Sequence, residues 1–177
     1  MQALAYFDGQ MISLIESIRT SLLNKFFIFI SYFGAGDVIL FIAAAVTIFL
    51  AIKRKKSHII MLWIVLMGSI ASSYILKLAV HRPRPLDGII KETSFSFPSA
   101  HAVLSLAFYG SIIYLLLRSS KSRRVKFLGS VGLFIFITLI GFSRIYLGVH
   151  FLSDVTAGYF LGGLWLLIGI KFFKLKN

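Results

Sequence analysis

Long apolar runs separated by short basic clusters constrain this chain more than any other feature. Residues 22–52 are almost continuously apolar, with a break at Gly34-Ala35-Gly36-Asp37, and further runs cover roughly 58–80, 100–117, 125–142 and 150–170. A helix needs about 20 apolar residues to cross a bilayer, so each run has the length of a crossing. The hydrophobic share of 58% and mean hydropathy of +0.90 exceed what soluble domains carry, typically ~45–50% apolar. The expected fold is all-α: an integral membrane helical bundle forming one domain over residues 1–177. Residues 22–52 allow two readings, one long tilted helix over 26–52 or a short first span that turns at the Gly-rich break into a second. The second is preferred, because Asp37 at mid-membrane is costly. That makes about six transmembrane helices. Before them, Leu4, Phe7, Met11, Leu14, Ile15 and Ile18 alternate with Asp8, Gln10, Glu16 and Arg19. Such spacing suits an N-terminal amphipathic segment at the interface, and equally a helix packed on the bundle.

The basic residues then orient the bundle. Lys53, Arg54, Lys55 and Lys56 share one loop, Arg118, Lys121, Arg123, Arg124 and Lys126 another, and Lys171, Lys174 and Lys176 close the chain. Twelve of the 19 basic residues thus fall on one face by alternation, which the positive-inside rule makes cytoplasmic. Arg19 and Lys25 fit a cytoplasmic N-terminus, which six spans require. The net charge of +13 is therefore an orienting charge, and nucleic-acid binding is not expected. No charged leader with a cleavage site precedes residue 21, so the N-terminus reads as retained. Lys77, Arg82, Arg84, Lys91 and Arg144 depart from the pattern and fall on the outer face, where an anionic ligand would account for them. Cysteine is absent, which removes disulfides and thiolate metal sites. Gly68 with Ser72, and Gly158 with Gly162, suit close helix packing.

Three polar clusters interrupt the apolar background: Lys77-Leu-Ala-Val-His-Arg-Pro-Arg84-Pro85, then Pro98-Ser99-Ala100-His101, then Ser143-Arg144 followed by His150 and Asp154. Four residues apart on a helix, His150 and Asp154 share a face. Such a pair either satisfies itself at a polar helix end or works as a base with its orienting carboxylate. Arg84 and Arg144 offer planar forks to phosphate oxygens. Lys77 offers a point charge, or snorkels from a span end. Three cations suit phosphoryl transfer, where negative charge spreads over the equatorial oxygens. Pro83 and Pro85 stiffen the loop that carries the arginines. Ser99 is a good N-cap, and the amides and hydroxyl of Ser99 and Ala100 can meet an anion at a helix start. His101 then stands where it can protonate a leaving oxygen. No metal is expected: after Glu92 the only acidic residue is Asp154, and three cations would repel an ion held by His81, His101 and His150. His81 and Arg82 read either as head-group contacts or as loop residues without a role, and His58 as structural.

In order and spacing the clusters resemble the three signature motifs of the type 2 phosphatidic acid phosphatase family, Lys-x6-Arg-Pro, Pro-Ser-Gly-His and Ser-Arg-x5-His-x3-Asp. The likeness covers Lys77 through Asp154 and departs at Ala100, where the family usually has Gly. The resemblance implies that His150 attacks phosphorus to give a phosphohistidine, with Asp154 orienting it and His101 as general acid. It implies that Lys77, Arg84, Ser99, Ala100, Ser143 and Arg144 hold the phosphate, although Ser143 also reads as a cap or turn residue. It implies no cofactor, a lipid phosphate as substrate, and a multi-pass protein of the bacterial cell membrane with its site at the outer face. The small size is similar to that of the bacterial phosphatidylglycerophosphate phosphatase type B enzymes, which implies phosphatidylglycerophosphate as the lipid. Undecaprenyl pyrophosphate hydrolysis is the alternative within the class, and a non-hydrolytic lipid-phosphate transporter the alternative outside it. Vanadium haloperoxidases share the motifs but are soluble. Oligomeric state stays open.

Overall fold

The computed structural model describes residues 2–176, with side chains described from Tyr6 to Phe173. The side chains of Leu4, Lys174 and Lys176, assigned above to the amphipathic face and the basic end, lie outside the described residues. Seven helices follow in order: α1 (Gln2–Ser17), α2 (Ser21–Tyr32), α3 (Gly36–Ile52), α4 (Lys56–Val80), α5 (Ala100–Leu117), α6 (Arg123–Tyr146) and α7 (Leu152–Lys176). Among the described residues there is no strand.

Four helices, α4 to α7, are long and apolar enough to cross a membrane, and α2 with α3, bent by 48°, passes the same test as a pair. About six spans were expected; by length and apolarity the described helices offer four, or five with the bent pair taken as one. At about 1.5 Å per residue, the 12 residues of α2 reach only about 18 Å of a hydrocarbon core about 30 Å thick. The helix starts beside the end of α6, where the Thr20 amide donates to Tyr146 Oη. It ends in mid-bundle, where Tyr109 Oη donates to the Phe33 carbonyl. α3 then continues to the far end, where Phe49 and Leu50 meet Lys55, His58 and Arg118. The Gly-rich break bends the chain and does not reverse it. Asp37 takes the first turn of α3, where a helix start favours negative charge. α1 lies at the motif end and α7 finishes at the other.

α5 runs through the middle of the bundle and is buried along most of its length. One core joins α3 to α6 through Ile39, Leu62, Leu66, Leu104, Phe108 and Ile140. A second lies under the motif end, where Ile15 of α1 and Phe27 of α2 meet Ala102, Tyr146, Leu147 and Val155. Outward, Phe41, Phe134, Phe160 and Leu167 remain largely exposed, as helices facing lipid require. The small residues do bring helices together: a Cβ on Gly158 would stand 2.8 Å from the Ser99 carbonyl, and one on Gly162 2.4 Å from the Val103 carbonyl. Trp165 covers Gly68 and donates to Ser72 Oγ at 2.9 Å. α5 and α7, which carry parts of two motifs, are thereby held in fixed register.

Candidate active site

Each motif lies where a helix meets the same end of the bundle. α4 stops at His81, whose left-handed conformation (φ 49°) turns the chain off the helix axis. The following residues fold back on themselves: the Ser96 amide donates to the Arg82 carbonyl at 2.9 Å, and Ser96 Oγ to the Pro83 carbonyl at 2.9 Å. Arg84 Nε donates to the Ser94 carbonyl at 2.7 Å, so the first motif's arginine is fixed by its own loop. Arg144 comes from the last turn of α6, and Asp154 from the first turn of α7. Between them the chain reverses at Gly148, with φ +70°. A Cβ there would stand 2.4 Å from Arg19 Nη2 and 2.8 Å from the Asp87 carbonyl, so only glycine fits both the turn and the approach.

At the centre is His150, 2% exposed. Its Nδ1 faces Asp154 Oδ2 at 3.4 Å, and the same oxygen accepts from the Phe151 amide at 3.0 Å. On the other edge Arg84 Nη1 approaches His150 Nε2 at 3.1 Å. A proton on Nδ1 satisfies the carboxylate and leaves the Nε2 lone pair facing the guanidinium. Burial above all, with the charges of Arg84 and Arg144 added, pulls the imidazole down to about 4 against the hydrogen bond to Asp154.

Arg144 is almost fully buried. Its Nη1 donates to Ser31 Oγ of α2 at 2.6 Å and its Nη2 to Glu92, while its Nε has no partner. Glu92 Oε2 also lies 3.9 Å from Arg84 Nη2. Burial would raise the Glu92 carboxyl, but Arg144 and Arg84 hold it below the usual carboxylate range. Lys77 reaches over from α4 and donates to the Phe95 carbonyl. His101 opens α5 with its ring against Gly34, within electrostatic reach of Arg144, His150, Arg84 and Lys77.

The structure thus brings His150, Asp154, Arg84, Arg144, Lys77 and His101 to one end of the bundle. Two expectations change in detail. The Ser99 amide, expected to face an anion, donates instead to the Asp154 carbonyl at 3.1 Å. Its hydroxyl makes no capping bond and is buried without a partner, so the side chain remains available where the amide is not. Ala100 begins α5, whose first-turn amides have no intrahelical acceptor. The Ser143 hydroxyl spends its proton on the Ile140 carbonyl at 2.6 Å and offers an anion no donor in this conformation. His81 stacks edge-on against Phe95 and stays outside the cluster.

Four residues of this end were not singled out as site residues: Glu92 and Ser31 on Arg144, and Arg82 and Asp8 around Asp154. Arg82 Nη1 donates to Asp154 Oδ1 at 2.6 Å and its Nη2 to Asp8 Oδ2 at 2.8 Å. Only Arg82 carried a sequence signal, as a basic residue on the outer face within the first motif. Among the described residues no three His, Asp or Glu side chains converge as a metal-binding group.

A family model described as the PAP2 superfamily matches residues 58–177. Phosphatidylglycerophosphatase B of Bacillus subtilis (strain 168) is 30% identical over 152 residues, which cover 82% of this chain and 72% of that protein. Undecaprenyl-diphosphatase of Sulfolobus acidocaldarius is 29% identical over 163 residues, covering 88% and 73%. A crystal structure of a transmembrane PAP2 type phosphatidylglycerolphosphate phosphatase from Bacillus subtilis superposes with a TM-score of 0.92. It is 26% identical and covers 100% of this chain and 89% of its own. With the family model running from the head of α4 to the end of the chain, through all three motifs, this chain belongs to the PAP2 superfamily as a membrane lipid phosphatase.

Proposed function

We propose that the chain hydrolyses a lipid phosphomonoester without a metal, with phosphatidylglycerophosphate as its first substrate. The observation that carries this reading is the two-sided grip on His150, with Asp154 on Nδ1 and a phosphate-binding guanidinium on Nε2. The Nε2 lone pair attacks phosphorus, an N–P bond forms, and the P–O bond to the lipid alcohol breaks. His101 gives its proton to the departing oxygen. Water then attacks the phosphohistidine and returns a proton to His101, and inorganic phosphate leaves with His150 restored. Arg84, Arg144 and Lys77 hold the transferring oxygens, joined by the Ser99 hydroxyl and the Ala100 amide. An incoming phosphate competes with the Glu92 carboxylate for Arg144. The lipid character of the substrate is supported by a cavity of about 180 Å³ between α4 and α5, where Ile70, Tyr74 and Leu104 lead up to Lys77 and Ala100. A head group at the cations leaves its chain on the lipid side of that opening.

The second reading, hydrolysis of undecaprenyl pyrophosphate, is favoured by the nearly equal identity to a relative named for that activity. Phosphate release by purified protein in detergent with EDTA, measured on both lipids for wild type and His150→Ala, tests both. Release that persists with EDTA, is lost in His150→Ala and is faster on phosphatidylglycerophosphate is expected. Faster release from the pyrophosphate selects the second reading, and no release from either lipid removes the catalytic one. The basic loops at the far end support an outer-face site in a bacterial cell membrane.

A further inference from the structure

Asp154 faces His150 with one oxygen, and its other oxygen is held by Arg82, from the variable run of the first motif. Arg82 Nη1 reaches Asp154 Oδ1 at 2.6 Å and Ser153 Oγ at 2.7 Å, and its guanidinium lies 4.1 Å from the centre of the Phe151 ring. The far side of the same guanidinium is gripped by Asp8 of α1, whose Oδ2 accepts from Nη2 at 2.8 Å. Asp8 also accepts from the Ser153 amide at 3.1 Å and from Ser153 Oγ at 2.5 Å.

The placement of Asp8 is unusual for a helix of this kind. On α1 its neighbours Tyr6 and Phe7 are each 63% exposed, whereas Asp8 is 3% exposed. It shares the inward face with Met11 and Ile15, three and seven residues on. A carboxylate in that position is retained only where it is paired and hydrogen-bonded, and each of its bonds goes to Arg82 or to the residue beside Asp154. Without Asp8, Arg82 keeps one carboxylate and a free side facing water. With it, the guanidinium is clamped between two carboxylates and over an aromatic ring, so the plane of Asp154 is fixed. That plane decides whether Oδ2 meets His150 Nδ1.

We propose that Asp8 and Arg82 are positioning residues for the phosphoryl transfer: α1 holds Arg82, Arg82 fixes Asp154, and Asp154 aims His150. The inference rests on the reading of His150 as nucleophile. It makes the N-terminal interfacial helix part of the catalytic apparatus, although it carries none of the three motifs.

The test uses the purified full chain and phosphate release from phosphatidylglycerophosphate. Asp8→Asn keeps the shape and removes the charge; kcat falls about tenfold with KM within about twofold, as expected when a positioned group loses its alignment. Adding Asp8→Asn to Arg82→Gln produces no further fall, because both act through the same carboxylate. A purely structural role for Asp8 would lower the thermal midpoint and multiply with Arg82→Gln. Wild-type kcat in Asp8→Asn, multiplying losses, or a raised KM with unchanged kcat overturns the proposal. Should Asp8→Asn not fold, Ser153→Ala removes one link of the clamp, and an unchanged kcat there overturns it equally. His150→Ala run alongside separates the failures. Activity surviving in His150→Ala removes the nucleophile assignment, whereas its loss beside a normal Asp8→Asn removes only the clamp.

Discussion

His150, proposed above as the nucleophile, shows how surroundings keep the lone pair of a single side chain free. An imidazole with an ordinary value near 6.5 is partly protonated in mildly acidic water, and a protonated ring has no lone pair to offer. Burial first, then the neighbouring guanidinium groups, lower it to about 4. The sign follows directly: a depressed value means the ring is neutral above that pH and loses its nucleophilic pair only as pH falls through it. In protein labelled with 15N at histidine, the His150 Nε2 resonance is expected to keep the position of an unprotonated nitrogen down to about pH 5. Movement to the protonated position by about pH 6 would contradict this. Glu92 illustrates the opposite case, a carboxylate kept charged by Arg144 and Arg84 in the place where a phosphate would meet both. Neither environment was legible from the motifs, since a motif names residue types and leaves unstated which neighbours bury them. Arg144, His150 and Asp154 were legible as residue types in order, but the expected shared helix face is not what joins the last two: His150 precedes α7, which starts at Leu152, and reaches Asp154 from the turn.

At the scale of elements, function depends on α5 and α7 staying in register, because one carries Ser99 and His101 and the other Asp154. The carbonyl of Val103 lies so near Gly162 that any side chain there must push the helices apart. Gly162→Val is expected to cost about 1–3 kcal/mol, the usual range for overpacking, and to lower both thermal midpoint and phosphate release. Gly132 of α6, with nothing within 4 Å of its Cβ direction, serves as the neutral comparison. Equal loss in Gly162→Val and Gly132→Val would show that the register contact is unimportant. Small residues four apart, visible in the sequence, announced this packing. The bend between α2 and α3 was not legible in the same way. Gly34 to Asp37 marks a break, but whether a break bends or reverses a chain depends on its packing partners, here Ile140 and His101 against Gly34.

For the whole molecule, α1 and the motif loops lie at one end of the bundle and the basic loops at the other. A chain without native cysteine lets each position be labelled singly. His81→Cys and Gln10→Cys are expected to react with an impermeant thiol reagent from outside the cell, and Lys121→Cys only from inside. Reaction of Gln10→Cys from the side of Lys121→Cys would restore a sixth crossing. The class of fold and the shared end of the motifs were readable from apolar runs and alternation. The shape of residues 22–52 was not, because they hold enough apolar length for two spans while the structure joins them as one bent candidate pair. The role of Asp8 was also hidden: a helical period separates faces but does not say which face will meet a partner 145 residues later.

That separation has a consequence for how the protein is made. Translation delivers Asp8 of α1 145 residues before Ser153 of α7, with α2 to α6 made in between. A nascent chain stopped after α6 already contains Lys77, Arg84 and Arg144, yet it has neither His150, the proposed nucleophile, nor Asp154 beside it. The clamp on Asp154 closes only when the first helix and the last are present together. On the proposed reading of the site, the order of synthesis keeps a half-built copy from cutting the lipids into which it is being inserted.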